Sequence, residues 1–311
     1  LQTEISAQVI EDSISDEGIR LTTLQLRFPR FILAEFNTHR QFSRNARSTR
    51  AVPTKKLIQE VLDNPVVPLK WQKNKPGMQS SEPMTDEDAA EALNLWLAAS
   101  KSAALYAAKL FELGLHKQWA GRIIEPFMYV DALLSSTHWA NFDGLRDHED
   151  AQPEIELLAK KIIEARADST PKLLKPGEWH LPYVSQEERD EWETLVEAPL
   201  GPQASVPKGV SRLIKLSVAR SARVSYTPFD GNASHEKEFQ RYHDLVGSTP
   251  VHASPAEHQA TPDKRIVVGG NVHFGRKSWE SPEKHGNFLG WIQHRKMISG
   301  NYIPDSWENI S

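Results

Sequence analysis

The sequence predicts a mixed α+β fold, and three observations carry that reading. Apolar and polar residues alternate near the start, at Leu24, Leu26 and Phe28. A block with helical periodicity fills residues 85–167. Residues 168–210 hold many prolines and little periodicity, the composition of a crossing segment.

Each element follows from local chemistry. Residues 19–34, IRLTTLQLRFPRFILA, predict a strand, a break at Pro29 and a second strand leading into a basic stretch. Residues 64–84, rich in proline, lysine and serine, predict an irregular loop. Thr85, with Asp88 three positions on, opens a helix whose early acidic residues suit its dipole, and Gly114 is the expected stop. Residues 116–142 predict a second helical region, and PEIELLAKKIIEARA a third with Pro153 at its first position. Beyond the crossing, LIKLSVARSARVSY reads as a short helix or strand, EKEFQRYHDLV as a helix and RIVVGGNVHF as a strand. No internal repeat is visible.

Composition narrows the chemistry. The 311 residues, 39% hydrophobic and 25% charged, describe an ordinary globular chain able to bury a core. With no apolar run of eighteen residues and no signal-peptide pattern, the expected place is the cytoplasm, with no membrane partner. There is no cysteine, which excludes disulfides, thiolate metal sites and a cysteine nucleophile. A net charge of −4 argues against a nucleic-acid partner and leaves positive charge as a local feature.

That local charge sits in HRQFSRNARSTR, residues 39–50, with Arg40, Arg44, Arg47 and Arg50 interleaved by Ser43, Asn45 and Ser48. Guanidinium forks with hydroxyl and amide groups between them suit a phosphate, although a basic run is more often a solvated face. In GLRDHEDAQPEI, Asp147, Glu149 and Asp150 read as charges at a helix start, or Arg146 ahead of them faces a ligand. In HASPAEH, His252, Glu257 and His258 lack the two-histidine spacing of a zincin, so no metal is expected. There is no glycine-rich nucleotide loop and no hydrolase elbow.

Set together, these stretches resemble the flavin-dependent thymidylate synthase (ThyX) family. The family's arginine signature, R-H-R, two residues, S, one residue, N-E, one residue, S, one residue, R, is matched in spacing by Thr38-His39-Arg40, Ser43, Asn45-Ala46, Ser48 and Arg50. AGRIIEP is similar to its A-R-x-x-L-P, and NFDGLRDHEDAQPEI to its N-F-L-x-L-R-x-x-x-x-A-Q-x-E-I. ARSARVSY and HASPAEH resemble family segments that normally precede the arginine motif, and here they follow it by about two hundred residues. The resemblance therefore implies a circularly permuted, ThyX-like α/β core in one catalytic domain spanning 1–311. Its parts are a strand pair and arginine motif (1–63), a helical block (85–167), a crossing (168–210), the permuted N-terminal part (211–262) and an extension (263–311).

The resemblance implies reductive methylation of dUMP to dTMP, with FAD as cofactor, NADPH and methylenetetrahydrofolate as co-substrates, and a homotetramer with sites between subunits. It implies substrate contacts by Glu35, Ser48, Arg50, Arg122 and Arg146, with Arg146 beside the pyrimidine as the catalytic residue. It implies FAD contacts by His39, Arg40, Asn141, Ser225, His252, Ser254 and Glu257.

Departures stand beside the matches. Glu35 replaces a nucleotide-contacting glutamine, Thr38 the first arginine and Ala46 the glutamate of the signature; Asp150 stands where a flavin-side histidine is common. An anion at Glu35 weakens phosphate binding unless a cation compensates, a task open to Arg44 and Arg47. These changes admit a diverged reaction, hydroxymethylation of dUMP or action on dCMP, and a non-catalytic flavin- or nucleotide-binding homologue as the alternative of another class.

Overall fold

The computed structural model describes residues 3–77, 80–193, 208–226, 234–269 and 276–302. Its frame is a five-stranded sheet in the order β3-β4-β2-β1-β5. The strands are β1 (Ser6–Ser15), β2 (Arg20–Pro29), β3 (Ser43–Ala46), β4 (Tyr129–Ser136) and β5 (Lys172–Leu174). All pairs are antiparallel except β1 with β5.

The strand pair at the start exists, but its members differ from expectation. β1 is SAQVIEDSIS, whose Glu11 and Asp12 conceal the alternation. Asp12 is buried because Arg20, Thr22 and Ser169 all hydrogen-bond its carboxylate. The predicted second strand after Pro29 is instead a 3₁₀ turn, Arg30–Ile32, running into the short helix α1 (Leu33–Phe36). Proline has no N–H for the ladder, and Ile32 and Phe36, four apart, both reach the core only on a helical path.

Two further helices span α2 (Thr54–Asp63) and α3 (Asp86–Glu112). The predicted helix from Thr85 is α3: the Thr85 hydroxyl accepts from the Asp88 amide at 3.1 Å, and Gly114 takes φ +84° beyond the end. The second helical region at 116–142 is overturned. Only α4 (Lys117–Ala120) and a 3₁₀ turn precede the strand β4, and α5 (Ala140–Arg146) begins near its end. As an inner strand β4 is buried on both faces, so its apolar run has no period to separate strand from helix. α6 (Pro153–Ala167) begins at Pro153 as predicted.

The crossing is more regular than its composition implies, since it holds β5 and α7 (Gln186–Glu193); its residues 194–207 lie outside the described residues. LIKLSVARSAR falls in α8 (Lys208–Arg223) with Val224–Tyr226 beyond its end, and α9 (His235–Val246) follows. The extension, with the three residues before it, forms two small antiparallel pairs. One joins β6 (Ala260–Pro262) to β9 (Trp291–Gln293), the other β7 (Arg265–Val268) to β8 (Arg276–Trp279). Only Arg265–Val268 of the strand predicted in RIVVGGNVHF is seen; residues 270–275, like 78–79, 227–233 and 303–311, lie outside the described residues.

One sheet face is apolar. Leu24, Leu26, Phe28, Val130, Ala132 and Leu134 pack on Ile155, Leu158, Ala159 and Ile162 of α6 and on Phe36, Phe42 and Phe142. The other face carries a buried polar seam across β1, β2 and β4. Ser13 meets His180 Nδ1 at 2.9 Å, His180 Nε2 meets Thr23 at 2.7 Å, Thr23 meets Ser135 at 2.5 Å, and Ser135 meets His258 Nδ1 at 2.8 Å. Burial holds both imidazoles neutral, with His180 well below the usual histidine range and His258 lowered to about 3.

Candidate active site

Pro29 ends β2 and turns the chain through α1, which sets Glu35 and, after one more turn, His39 at the end of the apolar layer. His39 is buried against Phe142, with ring centroids 4.9 Å apart, and beside Phe42. From the far side of the core, α5 ends on Arg146, a favourable place for a cation. Arg146 Nε donates to His39 Nε2 at 2.9 Å, and Arg146 Nη1 donates to Glu35 Oε1 in an ion pair.

These contacts define the charge state. Burial, then Arg146 and Arg44, lowers the His39 pKa to about 4, so the ring is neutral near pH 7. Since Nε2 accepts from Arg146, the ring proton is on Nδ1. Arg44 also donates to the His39 carbonyl at 2.6 Å. The guanidinium of Arg146 is thus aimed by one neutral acceptor and one anion. Around it opens a cleft of about 310 Å³, lined among others by Thr38, Arg40, His138, Asn141, Leu145 and Arg146.

The compensating cation for Glu35 is therefore Arg146, which corrects the assignment to Arg44 and Arg47. Arg44 turns to the His39 backbone, and Arg47 pairs with Asp131 at 3.1 Å and Glu60 at 3.6 Å.

The fold does not gather all the predicted residues in this cleft. Glu35, His39, Arg40, Asn141 and Arg146 meet there or at its edge. Ser48 caps a 3₁₀ turn by accepting from the Arg50 amide at 3.3 Å, and that turn packs against α4. Arg122 is exposed and bonds Glu125 at 3.0 Å. Ser225 lies past the end of α8, where its carbonyl accepts from Arg223 at 2.9 Å. His252 and Ser254 are exposed, and Glu257 pairs with Arg295.

The sequence-distant stretches still adjoin the arginine motif. Asn45 donates to the Ser221 carbonyl at 3.3 Å, and the Ser254–Glu257 turn packs on β3. Gln293 bridges the two, donating to Ser43 Oγ at 3.2 Å and to the Glu257 carbonyl at 2.8 Å. Neither Gln293 nor Arg295 was legible beforehand, for nothing in the tail's composition marks them. His138 of the cleft carried a faint signal, standing three residues before Asn141.

Comparison with known proteins adds a family. Residues 20–172 match the family model described as thymidylate synthase complementing protein (Thy1). Among solved structures, the UMP/dUMP methylase PolB from Streptomyces cacaoi bound with 5-Br UMP aligns at 18% identity and TM-score 0.43, over 53% of this chain and 90% of that one. The same methylase bound with 5-Br dUMP aligns at 16% identity and TM-score 0.44, over 53% and 91%. Thymidylate Synthase X (ThyX) from Helicobacter pylori, with FAD and dUMP, aligns at 16% identity and TM-score 0.34, over 47% and 67%. No curated protein matches the sequence significantly.

Proposed function

We propose that this chain, whose residues 20–172 match the thymidylate synthase complementing protein (Thy1) family model, is a flavin-dependent enzyme methylating dUMP to dTMP. The observation that carries the reading is the Arg146 cleft. Arg146, His39, Arg40 and Asn141 come from two motifs a hundred residues apart and meet around one cavity. NADPH and methylenetetrahydrofolate are the proposed co-substrates.

The lining fits a flavin. Leu145 offers exposed apolar surface for a fused ring, with the buried Phe42 and Phe142 behind the cleft floor, while Arg40, His138 and Asn141 offer donors for its polar edge. When bound, the flavin supplies the hydride, and no protein nucleophile is needed, in keeping with a chain that has no cysteine. Arg146 directs N–H groups to a carbonyl oxygen of the pyrimidine and stabilises negative charge developing there. His39 fixes the guanidinium by accepting from Nε, so the donors are oriented before substrate arrives. Glu35 completes that clamp and tempers the positive charge.

Ser48 and Arg50 serve the nucleotide phosphate, and Arg122 reaches it from a neighbouring copy in a homotetramer. Support for assembly comes from α3, where Leu95 and Tyr106 are exposed on one helical face, with Leu113 exposed at its C-terminal cap and Trp119 just beyond. Ser225, His252, Ser254 and Glu257 are proposed for the distal parts of FAD, on the far side of β3. The chain order of these segments is read as a circular permutation of one catalytic domain.

The Glu35–Arg146 pair favours a second reading. A site whose arginine is balanced by an anion suits an altered pyrimidine chemistry, hydroxymethylation of dUMP or action on dCMP. One experiment separates the readings: purified protein with FAD, NADPH, methylenetetrahydrofolate and either dUMP or dCMP, followed by mass analysis of the nucleotide. dTMP from dUMP supports the first reading; a product heavier than dTMP by one oxygen, or any modified form of dCMP, supports the second. No change to either nucleotide overturns both.

A further inference from the structure

The longest helix, α3, packs on one side only. Its 27 residues run about 40 Å at 1.5 Å per residue. The inner side meets α2, α4 and the 3₁₀ turn Gly121–Phe127, with Trp96, Ala104 and Ala107 in that core. On the opposite side Glu91, Leu95, Ala98, Ser102, Leu105 and Lys109 are all exposed. Leu95 and Leu105 keep 62% and 54% of their surface in water.

The outer residues are ordered. Their successive spacings are four, three, four, three and four residues, which is the 3.5-residue period of a coiled-coil seam. They are also arranged about a centre. Glu91 and Lys109 each stand nine positions from Ser100, Leu95 and Leu105 each five, and Ala98 and Ser102 each two. Ser100 itself is buried and faces inward, so the centre of the outer face lies between Ala98 and Ser102.

That symmetry selects an occupant. A second α3 running antiparallel about the same centre sets Leu95 on Leu105 and Glu91 on Lys109, twice each. It also brings Ala98 to Ser102, small residues that let the two axes approach closely. Among the described residues Glu91 and Lys109 have no ion-pair partner in their own chain, and Lys109 lies 6.0 Å from the centre of the Tyr106 ring. A parallel pair would set Glu91 on Glu91 and Lys109 on Lys109, and like charges repel. A slip of one heptad in the antiparallel pair breaks both the leucine and the charge matches.

We propose that the outer face of α3 is a two-fold interface that seats a second copy of this chain, antiparallel, along the seam from Glu91 to Lys109. The pair specifies one contact of the proposed homotetramer and rests on that reading for the number of copies beyond two.

The test combines sedimentation equilibrium of the full chain with carbodiimide cross-linking and peptide mass analysis. Within one helix Glu91 and Lys109 are 18 residues and about 27 Å apart, so an amide joining their side chains forms only between two chains. The wild type self-associates and yields that cross-link. Lys109→Glu sets carboxylate on carboxylate at both ends of the pair, abolishes the cross-link and weakens self-association about tenfold or more, since two attractions become two repulsions. Combining Glu91→Lys with Lys109→Glu restores the association and a cross-link between the same two positions. Both changes are at exposed positions, so the circular dichroism spectrum stays that of the wild type.

Association without the cross-link, or unaffected by Lys109→Glu, overturns the seam while leaving a homotetramer built on another surface. Failure of the double reversal to restore association also overturns it. A wild type that sediments as a monomer overturns both the seam and the assembly. No readout depends on turnover, so the outcome stands apart from the product analysis.

Discussion

Glu35 and Arg146, 111 residues apart in sequence, form an ion pair at the edge of the cleft, and His39 holds the same guanidinium from its other side. The counter-ion of Glu35 thus comes from another motif. Electrostatics at the site follow from that pair.

Removing the anion raises the positive charge offered to a nucleotide. Glu35→Gln keeps the shape and one acceptor for Arg146 but loses the charge, so dUMP affinity increases roughly fivefold, the scale of about 1 kcal/mol for a partly exposed charge interaction. Calorimetric titration with dUMP checks this. An affinity unchanged or weakened means that the carboxylate does not oppose the nucleotide.

Removing the cation separates chemistry from cofactor binding. Arg146→Ala retains FAD, because the other proposed flavin contacts remain, and loses turnover by about 10²–10³-fold, the usual effect of deleting one preorganised donor. The flavin absorbance of the purified variant and its kcat are the two measurements. Wild-type turnover would sink the role given to Arg146.

Acid destabilises the fold through its buried histidines. His39, His258 and His294 have folded pKa values lowered to about 4, 3 and 4, chiefly by burial, from an ordinary value near 6.5. Below pH 6.5 the unfolded chain takes up protons that the folded chain refuses, so stability present above 6.5 is lost progressively as pH falls toward 4. Thermal melts between pH 7.5 and 4.5 trace the decline. His258→Asn, lacking one of those protons, gives a shallower slope over the same range.

The polar seam gives a stability prediction independent of activity. Ser135 bonds both Thr23 and His258 at a site with no exposure. Ser135→Ala leaves the hydroxyl of Thr23 and the Nδ1 of His258 each short of a partner and costs about 1–3 kcal/mol. Urea unfolding measures it, and a loss below 0.5 kcal/mol, taken as the size of an ordinary surface change, argues against a cooperative seam.

Much of the helix pattern was legible because its signals are local. Thr85 with Asp88, Pro153 at a first position and Gly114 in a left-handed conformation each act through the neighbouring backbone. The failures share a cause as well. β4 offered no period because both its faces are buried, β1 hid its alternation behind Asp12, and Ile32 with Phe36 follow a helical turn where Pro29 had only marked a break.

By itself the sequence determined which chemistry was available. It excluded cysteine, gathered arginines beside hydroxyls, and preserved motif spacings that act within a few residues of chain. The tertiary structure decided which of those groups meet. It joined Glu35 to Arg146, kept His39 neutral, sent Arg44 and Arg47 to other partners, and brought Ser221 and Gln293 to the arginine motif. Pairing across a hundred or more residues depends on sheet order and packing, which bring together charges that local sequence keeps apart.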